Sequence, residues 1–91
     1  MVVRMYYIIV YDVGVEKVAK LHKYLRTYLT WVQNSVFEGE LGDADILAVK
    51  KHIKEIIDSE TDSVLLFRFR DRRTFEKEVI GKERNSTGTV L

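Results

Sequence analysis

Tyr6-Tyr7-Ile8-Ile9-Val10-Tyr11-Asp12 is an apolar run closed by a carboxylate, with Gly14 two residues beyond it. Side chains alternate along a strand. Tyr6, Ile8, Val10 and Asp12 therefore share one face, and Tyr7, Ile9 and Tyr11 the other. Both faces are apolar or aromatic almost throughout, which predicts a central strand covered on most of both sides. Asp12 stands where that strand leaves the core. A carboxylate there either caps the next helix or belongs to a site.

Working outward, Val15 to Leu29 has helical spacing, with Val18, Leu21, Leu25, Tyr28 and Leu29 in one stripe and Glu16, Lys17, Lys20, Lys23 and Arg26 opposite. Residues 30 to 41 are β-branched and aromatic enough to be extended. Asn34-Ser35 is compatible with a tight turn between two short strands or with a bulge in one bent strand, and the sequence leaves both open. Phe37, Gly39 and Leu41 share a face opposite Glu38 and Glu40. A second helix begins near Gly42-Asp43, with Ile46, Val49, Ile53, Ile56 and Ile57 as its stripe. Asp58 to Asp62 has the composition of a polar loop. Ser63 to Arg70 is a strand with an apolar start and a basic end, Asp71-Arg72-Arg73 is a turn, and Phe75 to Ile80 is a last short strand.

This order predicts an α+β, ferredoxin-like two-layer sandwich, an antiparallel sheet with two helices on one face and an extra C-terminal strand. The 91 residues make one domain, with a polar tail from about residue 82. Two helices cover only one sheet face. Tyr7, Ile9 and Tyr11, or their opposite set, are then bare in a monomer, which argues for a homodimer packed sheet to sheet. There is no cysteine, so disulfides, thiolate metal sites and cysteine nucleophiles are excluded. A net charge of +1 gives no overall pull on nucleic acid, although local basic stretches can act. No stretch is long enough to cross a bilayer, and no signal-peptide pattern opens the chain, so no membrane partner and a cytoplasmic setting are expected.

Tyr11-Asp12 closing the first strand, the following helix, and then Val32-Gln33-Asn34-Ser35-Val36-Phe37-Glu38-Gly39 together resemble the CRISPR-associated Cas-two family. The likeness runs from Tyr6 to about Gly81 and includes Glu78-Val79-Ile80-Gly81. It implies a homodimer in which the strand-one aspartates face each other across a two-fold axis and the final strand crosses to the partner's sheet. It also implies a part in antiviral defence through spacer acquisition with the Cas-one integrase, and an endonuclease cutting single-stranded RNA or duplex DNA with Mg²⁺ or Mn²⁺. Asp12 is then the catalytic and metal-binding residue. Two departures stand out. The segment Val13-Gly14-Val15-Glu16 is short where relatives often have a longer acidic loop, and Trp31 stands where many relatives carry an arginine.

Other side chains are weighed against simpler roles. One carboxylate per chain does not hold an ion, but two related by symmetry suit a hard divalent cation. His22 and His52 each lack a partner at ligand spacing and are structural or solvated. Ser35 has no histidine base near it in sequence and serves the turn. Tyr11 and Phe37 pack. Lys17, Lys20 and Arg26 on the first helix, with Arg68, Arg70, Arg72 and Arg73, are the candidate phosphate contacts, because a dense arginine cluster suits phosphate. No groove-reading motif is present, so any binding is to the backbone of the nucleic acid. The rival to the enzyme is a non-catalytic scaffold that holds DNA and bridges Cas-one integrase subunits.

Overall fold

The computed structural model describes residues 4–70 and 74–83. Its elements in chain order are β1 (Arg4–Asp12), α1 (Val15–Leu25), β2 (Thr30–Gln33), β3 (Val36–Gly42), α2 (Asp43–Ile56), β4 (Ser63–Phe69) and β5 (Phe75–Gly81). The strands form one antiparallel sheet in the order β2-β3-β1-β4-β5, which puts the decisive first run at its centre. This is the ferredoxin-like α+β sandwich that the alternation of strands and amphipathic helices predicts.

The two faces of β1 have different fates. Tyr7, Ile9 and Tyr11 are buried with Phe37 and Leu41 of β3, Val64 and Leu66 of β4, and Ile80 of β5. Leu21 and Leu25 of α1, and Ile46, Val49 and Ile53 of α2, close this core from the helix side. Each such side chain gains about 1.5–3 kcal/mol from leaving water, so the helices are held chiefly by these stripes. On the other face Ile8 and Val10 are half-buried and Tyr6 is exposed. Their register partners on β4 are Leu65, Phe67 and Phe69, and Phe75 of β5 packs its ring against both phenylalanines at 5.8 and 5.5 Å. Glu38 and Glu40 of β3 lie across from Ile8 and Tyr6. The bare set is therefore Tyr6, Ile8 and Val10, and the cover expected on both sides of β1 is found on one.

Local chemistry sets the boundaries. Helix α1 ends at Leu25, earlier than the apolar stripe predicts. The Thr27 hydroxyl donates to the Tyr24 carbonyl at 2.7 Å, competing for a helix acceptor, and the chain continues through hydrogen-bonded turns to Leu29. Between β2 and β3 the choice falls on the hairpin. Asn34 takes φ +46°, which asparagine tolerates, and the register slips between Trp31 and Gln33, so the hairpin also carries a bulge. Strand β5 pairs with β4 of its own chain along the whole register from Ser63↔Gly81 to Phe69↔Phe75. This corrects the expected crossing to a partner's sheet: the Arg70 N–H donates to the Thr74 carbonyl at 3.3 Å, and β5 lies along the β4 edge of its own chain. The Asp71-Arg72-Arg73 turn, with Arg72 and Arg73, and the tail from residue 84 lie outside the described residues. Among the described residues no helix is long and apolar enough to cross a membrane.

Candidate functional site

Asp12 ends the central strand on the open sheet face, exposed to solvent, with Ser63 directly across on β4. Helix α1 starts three residues later, and its N-cap position is Gly14, which makes no side-chain cap hydrogen bond. The Gly14 N–H is instead met from a distant part of the chain, by Asp62 Oδ1 at 2.9 Å. The capping alternative for the carboxylate after β1 thus gives way to a different aspartate.

Asp62 is the buried group that the sequence hides. It belongs to the segment expected to be a polar loop, yet it is only 2% exposed. Its Oδ2 accepts from the Asp58 N–H at 2.8 Å and from the Lys17 ammonium. Burial alone raises a carboxyl pKa, but the Asp58 N–H, the Lys17 ammonium and the Gly14 N–H outweigh it and hold Asp62 at about 2. The same pairing raises Lys17. The Asp62 carbonyl accepts from Lys82 N–H at 2.7 Å, beside Gly81 at φ +92°. A Cβ at Gly81 would meet that carbonyl oxygen at 2.3 Å, so only glycine allows the approach. One side chain and its own backbone therefore tie together the loop after Asp12, the loop after α2 and the end of β5. The single clue in the sequence is an aspartate set flush against the apolar run Ser63-Val64-Leu65-Leu66.

The candidate cations divide into two kinds. Lys17 is committed to Asp62. Lys20 and Lys23 on α1 and Arg26 at its C-cap stand three residues apart and are exposed, and they make no ion pair among the described residues. Arg68 is half-buried and on the helix side of the sheet, in register with Tyr7 and Glu76. Its guanidinium is paired with Glu76 Oε1, which raises its pKa, and Arg70 Nη2 takes Glu76 Oε2 at 3.0 Å. These arginines lie at the far end of β4 from Asp12, which is in register with the first residue of that strand. The carboxylate and the arginine pair are therefore kept apart by the length of the sheet.

The histidines are structural. His22 sits between the rings of Trp31 and Phe37, at centroid distances of 5.4 and 5.0 Å, and His52 stacks on Tyr24 at 3.9 Å. Tyr11 is buried, edge-on to Phe37 at 6.3 Å, and burial raises its phenol pKa. Ser35 lies in the hairpin turn, where its carbonyl accepts from Tyr11 N–H at 3.1 Å. Among the described residues no three of His, Cys, Asp or Glu converge as metal ligands.

The sandwich and its sequence match known proteins. The family described as CRISPR associated protein Cas2 matches residues 5–77. The chain belongs to the Cas2 family. A relative from Archaeoglobus fulgidus, named CRISPR-associated endoribonuclease Cas2 2, is 50% identical over 88 residues, 97% of this chain and 96% of its own. A CRISPR-associated endoribonuclease Cas2 from Methanothermobacter thermautotrophicus is 46% identical over the full length of both chains. Among solved structures, one described as a crystal structure of Cas2 has a TM-score of 0.73 at 42% identity, covering 98% of this chain and 100% of that one. A Thermus thermophilus protein with a TM-score of 0.71 at 23% identity shares the fold. Membership of the family is thereby established, and in this chain the strand that ends in Asp12 lies at the centre of the sheet.

Proposed function

We propose that this Cas2-family chain is a CRISPR-associated, metal-dependent endonuclease that works as a homodimer in the cytoplasm, cutting single-stranded RNA and, secondarily, duplex DNA. The observation that carries the reading is Asp12. It is an exposed carboxylate at the end of the central strand, on the sheet face where Tyr6, Ile8, Val10, Leu65, Phe67 and Phe69 lack a covering layer. A second copy packed on that face by a two-fold axis brings a second Asp12 to the same edge. The relatives' designation as endoribonucleases supports the activity and the choice of RNA.

The donor chemistry fits a hard divalent cation. Paired carboxylates with room for waters and a phosphate oxygen suit Mg²⁺ or Mn²⁺, and the lack of cysteine in the chain suits them equally. When bound, such an ion supplies a bound water of lowered pKa and neutralises charge on the reacting phosphate. The chain's own residues do the rest. The Asp12 carboxylates hold the ion, the Asp62 contacts keep the loop behind Asp12 from moving, and Lys20, Lys23 and Arg26 hold the nucleic-acid backbone by charge. In spacer acquisition the same dimer is the part that a Cas-one integrase binds.

The test is Asp12→Asn, which keeps shape and removes charge. Metal-stimulated cleavage of a single-stranded RNA should fall to background while the dimer, followed by sedimentation, stays intact. Full cleavage by carefully purified Asp12→Asn protein would overturn the catalytic reading and leave the DNA-holding scaffold between Cas-one subunits. A wild-type monomer at micromolar concentration would remove the composite site altogether.

A further inference from the structure

One aromatic side chain is held rigid yet stands half out of the fold. Trp31 is 48% exposed. Its strand register sets it across from Phe37, its ring meets His22 edge-on at 5.4 Å and 71°, and its indole N–H donates to the Asn34 carbonyl at 2.9 Å. The one polar group of the side chain is therefore satisfied within its own hairpin, and two restraints fix the ring plane. Covering His22 accounts for one part of the indole. The remaining half of its surface has no role in the core.

The surroundings say what suits it. His22 also lines a shallow groove along α1 with Val15, Val18, Ala19, Lys23 and Arg26. Among the described residues no acidic side chain lines that groove, its cations Lys23 and Arg26 make no ion pair, and neither does the exposed Lys20 three residues before Lys23. A fixed π-face next to a row of uncommitted cations has the two parts that single-stranded nucleic acid requires, stacking for bases and charge for phosphates. An apolar protein anchor would be served by the ring and indifferent to the cations.

We propose that Trp31 is a stacking platform for an unpaired base of a single-stranded nucleic acid, whose backbone follows Lys20, Lys23 and Arg26 along α1. The inference deepens the proposed nuclease activity and shares its ligand class, but not its dependence on Asp12. Paired bases hide their faces within the duplex, so the platform selects single strands. Every base has a π-face, so it does so without regard to sequence.

The chain contains a single tryptophan, so its intrinsic tryptophan fluorescence reports on Trp31 alone. Wild-type protein in chelator is titrated with a short uridine-rich RNA and with a duplex of equal length. Saturable quenching by the single strand, and much weaker quenching by the duplex at equal concentration, is expected. By anisotropy of a labelled strand, Trp31→Leu should weaken binding about 5- to 150-fold, the range of base–aromatic stacking, with the salt dependence unchanged because no charge is lost. Leucine still covers His22, and Trp31→Phe, which restores a π-face, should recover most of the affinity. This pair separates stacking from misfolding. Single-strand binding that is equally tight in Trp31→Leu, or absence of quenching in the wild type, overturns the platform and assigns the ring to a protein contact. Either result leaves the Asp12 nuclease standing, and loss of the nuclease in the Asp12 test leaves this binding measurable.

Discussion

Helix α1 and the end of β4 look alike as sequences, each a short run crowded with basic residues, and the fold makes them different. On α1, Lys20, Lys23 and Arg26 face water and form no ion pair among the described residues. On β4, Arg68 and Arg70 share one carboxylate, Glu76, brought beside them by the β5 register. A phosphate approaching the first group meets uncommitted positive charge. At the second it must displace an anion already bound, at a net gain close to nothing. The count of basic residues is a property of the sequence, while the charge on offer is a property of strand pairing.

The largest effect should follow from removing the uncommitted set. Lys20→Gln, Lys23→Gln and Arg26→Gln together should reduce single-strand affinity by more than about tenfold at low salt and reduce the slope of log affinity against log salt by about 2, since each phosphate contact contributes roughly 0.7. Anisotropy titrations over a range of salt measure both. An unchanged slope would show that α1 does not touch the backbone, and the contrast with β4 would collapse.

Lys17 is the exception within α1 and tests the same idea in a buried setting. Its partner Asp62 has a folded pKa of about 2 against an ordinary 3.8. The folded state thus binds this proton less readily than the unfolded state. The stability from the pairing is complete above about pH 4 and is lost as pH falls toward 2. Asp62→Ala leaves Lys17 and two backbone N–H groups without a buried acceptor and should cost about 3–5 kcal/mol. Urea unfolding at neutral pH should show that loss, and acid titration should show a shallower decline than in wild type between pH 4 and 2. A loss that was the same at pH 7 and pH 2 would mean that the charge on Asp62 contributes nothing.

Much of the fold is legible in the residues themselves. Period-2 alternation in Tyr6–Asp12 and the 3.6-residue stripes of Leu21/Leu25 and Ile46/Val49/Ile53 act locally, so they predict element type directly and, for the helices, the buried face; which face of β1 the helices cover is decided by how the layers pack. Asp12 is recognisable because the end of a strand is set by the same local pattern. Asp62 is not, because its burial comes from meeting Gly14 and Lys17, which lie 48 and 45 residues away in sequence. The neutralisation of Arg68 and Arg70 is hidden for the same reason. Glu76 is their neighbour only through strand register, and that register places β5 on its own chain in place of the expected crossing. The early end of α1 turns on one threonine hydroxyl, too small a signal against an apolar stripe that continues to Leu29.

A sharper version of the comparison converts one region into the other. Glu76→Gln keeps a hydrogen-bonding group beside both arginines but removes the charge that neutralises them. Single-strand affinity should rise a few-fold and the salt slope should steepen by no more than about 1, because one net charge is uncovered. A variant that binds no better than wild type would mean that Arg68 and Arg70 are badly placed for phosphate, whatever their partner.

The smallest effect is expected when those arginines themselves are removed from the otherwise native chain. Glu76 is half exposed, and the Arg68 and Arg70 side chains are 37% and 56% exposed. Exposed ion pairs contribute about 0–1 kcal/mol, so Arg68→Gln with Arg70→Gln should lower stability by no more than that. Affinity should change about twofold and the salt slope by less than about 1, since two guanidiniums that share one carboxylate leave a single positive charge to lose. Part of that loss should come from the Glu76 carboxylate, which the substitution leaves without its cations and free to repel phosphate. Adding Glu76→Gln to the double variant removes that repulsion and should return affinity toward the wild-type value. If the double variant instead loses as much affinity and slope as the α1 triple variant, phosphate does displace Glu76, and the arginines of β4 form part of the binding surface after all.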